Sequence, residues 1–290
     1  MKPAPFRYFD PDTVDDVVDL LGEWGDEGKL LAGGQTLGPM LNFRLLAPRA
    51  LIDLNRVESL SYRARLDDGG LGIGALTRQQ MLEDDADVAV AQPLVAAAMP
   101  LIAHRAIRNR GTVGGSISHA DPAAEWGGLV AALDATMVIR HRKHGEREVA
   151  AADFYKGLLQ TALEPDELLS EIRLPAWPSG AGWSIREFSR RHGDFALTGI
   201  ACVIALDPHG RCSKVRLAAF GVEANPRRLA EAESALLGEP PDDKLIAEAA
   251  RLASKGVEPL DDRHASAEYR RQLVAVLMQR AVAETLSRCN

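Results

Sequence analysis

The chain contains few cysteines: three among 290 residues, Cys202, Cys212 and Cys289. Their positions match no metal-ligand spacing, and an iron–sulfur cluster requires about four thiolates. The sequence therefore excludes an iron–sulfur cluster built by this chain alone. We expect the three thiols to pack as small apolar side chains, which is their usual role in a reducing compartment.

Other targeting and binding signals are also missing. No apolar run approaches the ~20 residues that cross a bilayer, and the first residues, MKPAPFRYFDP, contain no apolar signal core. The seven histidines form no HExxH or similar pattern. The net charge of −7 argues against nucleic acid or an anionic membrane surface as the main partner. We expect a cytoplasmic chain with no transmembrane segment and no nucleic-acid partner, and a peripheral association with the inner face of the membrane is left open.

The length of the chain predicts two or three domains. Residues 1–57 read as helix, strand, loop-helix and strand, and Thr13 is a suitable cap for the amphipathic helix predicted at 11–24. Residues 58–177 read as strands alternating with helices, including one helix at 93–104, and end in a proline-rich linker. Residues 178–290 read as three antiparallel strands followed by three helices.

Two glycine-rich stretches are the strongest local signals. The first, KLLAGGQTL, has a predicted strand at residues 29–32, a turn at Gly33 and Gly34, and a predicted helix at 37–46. A strand, a glycine turn and a helix start together make a cradle for an anion, because free N–H groups point outward. Taken alone, a Gly-Gly pair after a strand is also an ordinary tight turn.

The second stretch, RNRGTVGGSISHADPAAEW, spans residues 108–126 and reads as a loop in which glycines are interleaved with Thr and Ser. Asp121 and Pro122 are typical of a helix start. Two such loops favour a ligand with a diphosphate and a second polar part, and the alternative is two unrelated turns. A Rossmann-type dinucleotide domain is disfavoured, because no GxGxxG motif follows a strand with an acidic residue about 20 positions on.

Together with the strand LIDLN (51–55) and the segment RRHGDFA (190–196), these stretches resemble the FAD-binding medium subunit of molybdenum hydroxylases. The carbon monoxide dehydrogenase medium subunit is the type, and the flavin domain of xanthine dehydrogenase is a relative. The resemblance covers nearly the whole chain. It implies an α+β fold: a vanillyl-alcohol-oxidase (PCMH) type FAD-binding fold in two α/β subdomains, residues 1–57 and 58–177, plus a C-terminal domain at 178–290 with a three-stranded antiparallel sheet and three helices.

The resemblance also implies which residues contact FAD. The backbone N–H groups of the first stretch would bind the diphosphate: Ala32, Gly33, Gly34, Gln35, Thr36 and Leu37. The second stretch would hold the diphosphate and ribitol from the opposite side through Thr112, Gly114, Gly115 and Ser116. The further implied contacts are Ile102 at the mouth of the second stretch, Glu125 at the adenosine sugar, Leu169 near the adenine, Arg186 near the flavin and Phe195 near the isoalloxazine ring.

Three of these positions depart from the family pattern. Glu125 stands where relatives often have Asp, so the side chain is one methylene longer. Arg186 matches a Lys in relatives, which keeps the charge but changes its geometry. Phe195 matches a position that can carry Tyr or an aliphatic residue, and it lacks the phenol hydroxyl of Tyr.

By this resemblance the chain is an oxidoreductase subunit in which FAD performs the redox chemistry and the protein supplies binding and orientation. A small partner subunit would carry [2Fe–2S] clusters and a large one molybdopterin, in a dimer of heterotrimers. Electrons would pass from the clusters through FAD to a quinone, NAD or oxygen. No catalytic residue and no metal ligand is expected on this chain.

Other interpretations remain open at this point. A free-standing flavoenzyme of the same fold would oxidise its own substrate, and a scaffold that has lost flavin would bind none. Glu125 can be a first-turn acid favoured by the helix dipole, and His104 and His119 can be ordinary hydrogen-bonding histidines. Trp126 and Trp183 fit the core or a subunit interface better than a ligand contact.

Overall fold

A computed structural model describes residues 1–289 and begins with a parallel three-stranded sheet. Its strands are β1 (Arg7–Phe9), β2 (Gly28–Leu31) and β3 (Ala50–Asp53), with β3 in the centre, and its helices are α1 (Val14–Trp24) and α2 (Leu37–Asn42). Thr13 caps α1 by accepting the Asp16 N–H at 3.1 Å, as predicted. The short strand β1 was not predicted, and α2 ends at Asn42 rather than at residue 46.

The second sheet has five strands, all paired antiparallel, in the order β4–β5–β10–β6–β7. Its strands are β4 (Arg63–Arg65), β5 (Leu71–Gly74), β6 (Thr136–His141), β7 (Gly145–Ala150) and β10 (Glu167–Leu174). A small hairpin, β8 (Tyr155–Gly157) and β9 (Gln160–Thr161), precedes β10. The helices of this part are α3 (Gln79–Glu83), α4 (Ala86–Ala91), α5 (Pro93–Ala98), α6 (Arg105–Arg108), α7 (Val113–His119), α8 (Glu125–Ala132) and α9 (Ala151–Phe154).

The single helix predicted at 93–104 is wrong. Helix α5 ends at Ala98, a 3-10 turn follows over Met99–Leu101, and α6 begins only at Arg105. Ala103 lies between them at φ +47°, a left-handed conformation that interrupts any helix. The chain therefore makes a sharp corner at residues 102–104.

The third sheet is antiparallel and has four strands, not the three predicted. They are β11 (Gly182–Ser189), β12 (Ala196–Leu206), β13 (Cys212–Phe220) and the short β14 (Arg227–Arg228), followed by α10 (Ala230–Leu236), α11 (Asp243–Lys255) and α12 (Ala267–Leu286). Both faces of β12 are covered: Ile200 and Cys202 lie in a core with α11 and α12, whereas Ala201 and Val203 lie in a core with α8. This double burial explains why β12 is apolar at nearly every position.

The cysteines pack in the interior of this last part, as expected. Cys202 and Cys212 are fully buried in one cluster, and the three thiols are free. Burial raises the pKa of Cys202 to about 12 and that of Cys212 to about 11. Both are therefore neutral thiols at physiological pH.

A close contact joins the second and third sheets. The Phe220 ring at the end of β13 lies against Gly128 on α8 and Gly199 on β12, where an added Cβ would come within 2.4 and 2.0 Å of the ring. Only glycine admits the ring at these two positions. The domain boundaries at 57/58 and 177/178 stay a prediction, because the large core is continuous across the second one.

Candidate functional site

The first glycine stretch forms a backbone nest. Strand β2 ends at Leu31 and α2 begins at Leu37, so residues 32–36 form the turn between them. Gly34 adopts φ +69°, and the Gln35 side chain donates to the Gly33 carbonyl at 3.0 Å. Among residues 1–289, no protein acceptor pairs with the N–H groups of residues 33–36. Four consecutive free donors are suited to an anionic ligand.

The prediction of a loop over residues 108–120 is wrong, because α7 occupies Val113–His119. Thr112 caps this helix, and its Oγ1 accepts the Gly115 N–H at 3.1 Å. The Gly114 N–H donates to the Ala75 carbonyl at 2.9 Å, and an added Cβ at Gly114 would lie 2.4 Å from the Ala75 Cβ. Gly114 is therefore required for packing against the end of β5, whereas Gly115 is exposed at the start of α7.

The two stretches meet. A Cβ on Gly33 would lie 2.3 Å from the Arg110 carbonyl oxygen and 2.9 Å from Gly111 Cα, and one on Gly115 would lie 3.7 Å from the Ala32 Cβ. Two segments far apart in sequence thus face each other across the same short gap. This is the arrangement that a shared dinucleotide site requires.

Two predicted contacts lie in the core beside this cleft, and a third is exposed. Ile102 and Leu169 are buried in the large hydrophobic cluster, and Leu169 sits next to an irregularity in the β10–β6 pairing. Phe195 is 65% exposed and follows Gly193, whose added Cβ would lie 2.8 Å from His104 Cε1. The loop that carries Gly193 and Phe195 therefore packs against the corner at residues 102–104.

Glu125 is the first residue of α8 and is only 5% exposed. The predicted start of this helix at Asp121 and Pro122 is wrong, because Asp121 instead closes a short turn by accepting the Ala123 N–H at 2.9 Å. Burial raises the pKa of Glu125 to about 7, and the charge of Asp121 adds to this, although the backbone N–H at the helix start opposes it. The second stretch therefore carries near its end a carboxyl group whose pKa is about 7.

Arg186 does not face Glu125. It lies on the side of β11 that packs against α12, where its Nε donates to Glu284 at 2.5 Å. Ser184, two residues earlier on the same face, donates to the Ala281 carbonyl of α12. The next residue of β11, Glu187, points to the opposite face. The position of Arg186 beside the flavin stays a prediction, and in this structure its guanidinium is paired with Glu284.

Glu187 is a residue of this region that the sequence did not point to. Its Oε2 is buried and has no hydrogen-bond partner within residues 1–289. Burial and, to a lesser extent, the negative charge of Glu125 together raise its pKa to about 8. Glu125 on α8 and Glu187 on β11 therefore form a pair of carboxyl groups across the second and third sheets.

Several other side chains that the sequence left open have ordinary structural surroundings. Trp126 is fully buried in the large core, and the Arg288 guanidinium stacks 4.0 Å above the Trp183 ring. Arg190 and Asp194 form an ion pair at 3.6 Å. Within the described residues, no group of three His, Cys, Asp or Glu side chains is suited to a metal, and no helix is long and apolar enough to cross a membrane.

Comparison with known protein families assigns both halves of the chain. Residues 4–177 match the model described as FAD binding domain in molybdopterin dehydrogenase. Residues 183–285 match the CO dehydrogenase flavoprotein C-terminal domain. The chain belongs to the FAD-binding medium-subunit family of the molybdenum hydroxylases. It is thus a flavoprotein subunit of the oxidoreductase class, and the recognition of its family and fold from sequence is confirmed.

Relatives of this medium subunit match it from end to end. The 6-hydroxypseudooxynicotine dehydrogenase complex subunit alpha of Paenarthrobacter nicotinovorans is 40% identical over 99% of this chain and 97% of its own. The caffeine dehydrogenase subunit beta of a Pseudomonas species is 34% identical over 99% and 97%. The solved carbon monoxide dehydrogenase of Hydrogenophaga pseudoflava matches at a TM-score of 0.96 and 36% identity, covering 100% of both chains.

The carboxyl pair gives this medium subunit a pH-dependent stability. The pKa of Glu187 rises from 4.5 in the unfolded chain to about 8 in the folded one. A raised pKa in the folded state means that the stabilisation is complete below the unfolded value and is lost as the pH rises through about 8. We expect the FAD-free chain to lose about 2–3 kcal/mol of unfolding free energy between pH 6 and pH 9 through this group.

Urea denaturation of wild type and Glu187→Gln at both pH values measures this effect. In Glu187→Gln most of the change in unfolding free energy between pH 6 and pH 9 should disappear, because an amide does not titrate. The exposed Glu23, changed to Gln, is the matched control and should behave as wild type. If the unfolding free energy falls by the same amount between pH 6 and pH 9 in wild type and in Glu187→Gln, Glu187 is not the group responsible for the pH dependence.

Proposed function

We propose that this chain is the FAD-bearing electron-transfer subunit of a heteromeric molybdenum hydroxylase. Electrons would arrive from the [2Fe–2S] clusters of a small partner subunit and leave to an external acceptor, a quinone, NAD or oxygen. The single observation that carries the proposal is the meeting of Gly33 with Arg110 and Gly111, which turns two distant glycine segments into one cradle. Membership of the medium-subunit family supports the same function.

The residues of the cradle fit FAD. The free N–H groups of residues 33–36 match the charge of a diphosphate, and Ala32 and Leu37 border them. Across the gap, Thr112, Gly115 and Ser116 present a hydroxyl-bearing helix start, and Gly114 brings that helix close to β5. When bound, FAD supplies the ability to exchange electrons singly or in pairs, which links one-electron carriers to a two-electron acceptor.

The other side chains of this chain orient the ligand and control its surroundings. Glu125 borders the second segment at the position implied for the adenosine sugar. Glu187 on β11 is the other carboxyl group near Glu125, and burial raises its pKa to about 8. Ile102 and Leu169 would provide apolar walls, and Phe195 lies on an exposed loop next to the corner at residues 102–104. The chain itself performs no acid–base step in this proposal.

Partner subunits complete the proposed enzyme. Relatives are named as a subunit of a dehydrogenase complex or as a medium chain, which supports assembly with a large molybdopterin subunit and a small iron–sulfur subunit. We extend this to a dimer of heterotrimers. The substrate is then oxidised on the large subunit, and this chain handles electrons only. The proposal includes a cytoplasmic complex, with or without contact to the inner face of the membrane, and cell fractionation tests that part.

Affinity purification of the tagged chain from its native cells tests the function. We expect a yellow complex with about one FAD per chain, two further polypeptides, and molybdenum and iron by elemental analysis. A lone yellow chain that reduces an acceptor with a substrate of its own would indicate a free-standing flavoenzyme. A colourless chain that takes up no added FAD would overturn the proposal.

A further inference from the structure

Arg78 occupies a special place between the two glycine segments. Its neighbours in sequence carry the backbone of the second segment: the Thr77 carbonyl accepts the Val113 N–H, and the Gln79 N–H donates to the Gly111 carbonyl, both at 3.0 Å. Between these two backbone hydrogen bonds, the Arg78 side chain donates through Nη1 to the Arg110 carbonyl. Arg78 is therefore anchored to the second segment by its own backbone and by its side chain.

The other end of the guanidinium reaches the first segment. Arg78 Nη2 donates to Asn55 Oδ1, and Asn55 Nδ2 in turn donates to the Ala32 carbonyl at 3.1 Å. Asp53 fixes Asn55 by accepting its backbone N–H at 2.9 Å, and Tyr8 holds Asp53 from the far side at 2.7 Å. A continuous chain of hydrogen bonds thus runs from Ala32 to Arg110.

The charge of this link also favours an anion. Arg78 is half-buried, and burial, together with the nearby positive charge of Arg110, lowers its pKa, while Asp53 opposes this change. A guanidinium stays protonated at physiological pH despite such a shift. Two like charges at the edge of an anion cradle repel each other when it is empty, and a diphosphate between the segments relieves that repulsion.

We infer that Arg78 is a positioning residue of the FAD site and that, through Asn55, it sets the spacing between the two glycine segments so that both reach the same diphosphate. This inference rests on the proposed function. The two side chains are 23 positions apart in sequence and follow strands of different sheets, so their contact exists only because the segments are correctly placed. The link acts on the cradle rather than on the flavin ring.

Titration of FAD into the FAD-free chain, followed by flavin fluorescence, tests the inference. We expect Arg78→Met and Asn55→Ala each to weaken FAD binding about tenfold or more, because a charge-assisted hydrogen bond is lost. The double variant should be no weaker than the worse single variant, since both changes break the same link. ADP, which has the diphosphate but no flavin, should lose affinity by a similar factor.

Two controls separate positioning from general damage. Arg65→Met removes an exposed arginine of β4 whose single side-chain hydrogen bond within the described residues is to the Gly69 carbonyl, at 3.5 Å, and this variant should bind FAD as wild type does. The melting temperature of the FAD-free chain should be nearly the same in all variants, whereas the increase in melting temperature on adding FAD should shrink in Arg78→Met and Asn55→Ala. Arg78→Lys keeps the positive charge but lacks the planar guanidinium that reaches both the Arg110 carbonyl and Asn55 Oδ1. We therefore expect its affinity for FAD to be only slightly higher than that of Arg78→Met.

Wild-type affinity for FAD in Arg78→Met, or strictly additive losses in the double variant, would overturn the inference. If Arg78→Met fails to fold, Asn55→Ala and Arg78→Lys decide the matter by the same criteria. Failure of the wild-type chain to bind FAD at all would instead overturn the proposed function.

Discussion

Replacing Gly33 by Ala should remove most bound FAD from the chain while leaving its fold intact. The added methyl group would lie 2.3 Å from the Arg110 carbonyl oxygen and 2.9 Å from the carbonyl carbon of the same residue. These are backbone atoms held by the second segment, so they cannot turn aside as a flexible side chain does. The two segments must separate, and the diphosphate then loses the donors on one side.

We expect the affinity of Gly33→Ala for FAD to fall about 10- to 100-fold or more, measured as flavin bound per chain and by titration. Gly22→Ala is the matched control, because its methyl group would meet only the Arg142 side chain, at an ordinary 3.5 Å, inside α1. That control should bind FAD normally and be slightly more stable, since Ala favours a helix. If Gly33→Ala retains all of its FAD, the two glycine segments are not packed closely enough at residue 33 to exclude a methyl group.

Arg108→Met should lower the unfolding free energy of the chain by about 3–5 kcal/mol, a large loss for one substitution. The Arg108 side chain is 6% exposed, and its Nε and Nη2 donate to the two oxygens of Glu83 at 2.7 and 3.0 Å. Its Nη1 donates to the Ile102 and Ala103 carbonyls, both at 2.9 Å. Loss of the guanidinium leaves a largely buried carboxylate and two carbonyls without partners.

Chemical denaturation followed by circular dichroism measures this loss. Arg105→Met, on the same short helix, removes an ion pair with Asp84 whose two side chains are 62% and 54% exposed, and should change stability by only about 0–1 kcal/mol. Combining Arg108→Met with Glu83→Leu should recover part of the stability, because no buried charge is then left alone. Equal effects of the two arginine variants would show that the buried pair contributes no more than a surface one.

Local signals in the sequence predicted only some of the regular elements. The Thr13 cap and amphipathic character of α1 and the strand at residues 29–32 depend on neighbouring residues, and both elements are present, with the strand at Gly28–Leu31. Helix α7 was not predicted, because Gly and Ser have weak helix propensity. Its contacts with Ala75 and Thr77, which are distant in sequence, stabilise it as a helix.

The candidate site was predictable where backbone chemistry decides it and less so where a side chain must point the right way. Both glycine segments were recognisable, since only a few residue types make such turns. The place of Arg186 beside the flavin stays a prediction, because sequence alone does not show which face of β11 a side chain occupies: adjacent residues of a strand point to opposite sides. The link from Arg78 to Asn55 has no signal in the sequence, since it depends on how two sheets meet.

The ring of Phe220, enclosed by Gly128 and Gly199, has a consequence for electron transfer. Tunnelling between two redox groups is most sensitive to how far apart they are, so a carrier benefits from a frame that does not bend. Moving the C-terminal part against α8 would require the Phe220 ring to leave its close contacts with Gly128 and Gly199, and with them the packing that they provide. This contact therefore favours a rigid frame around the cofactor site.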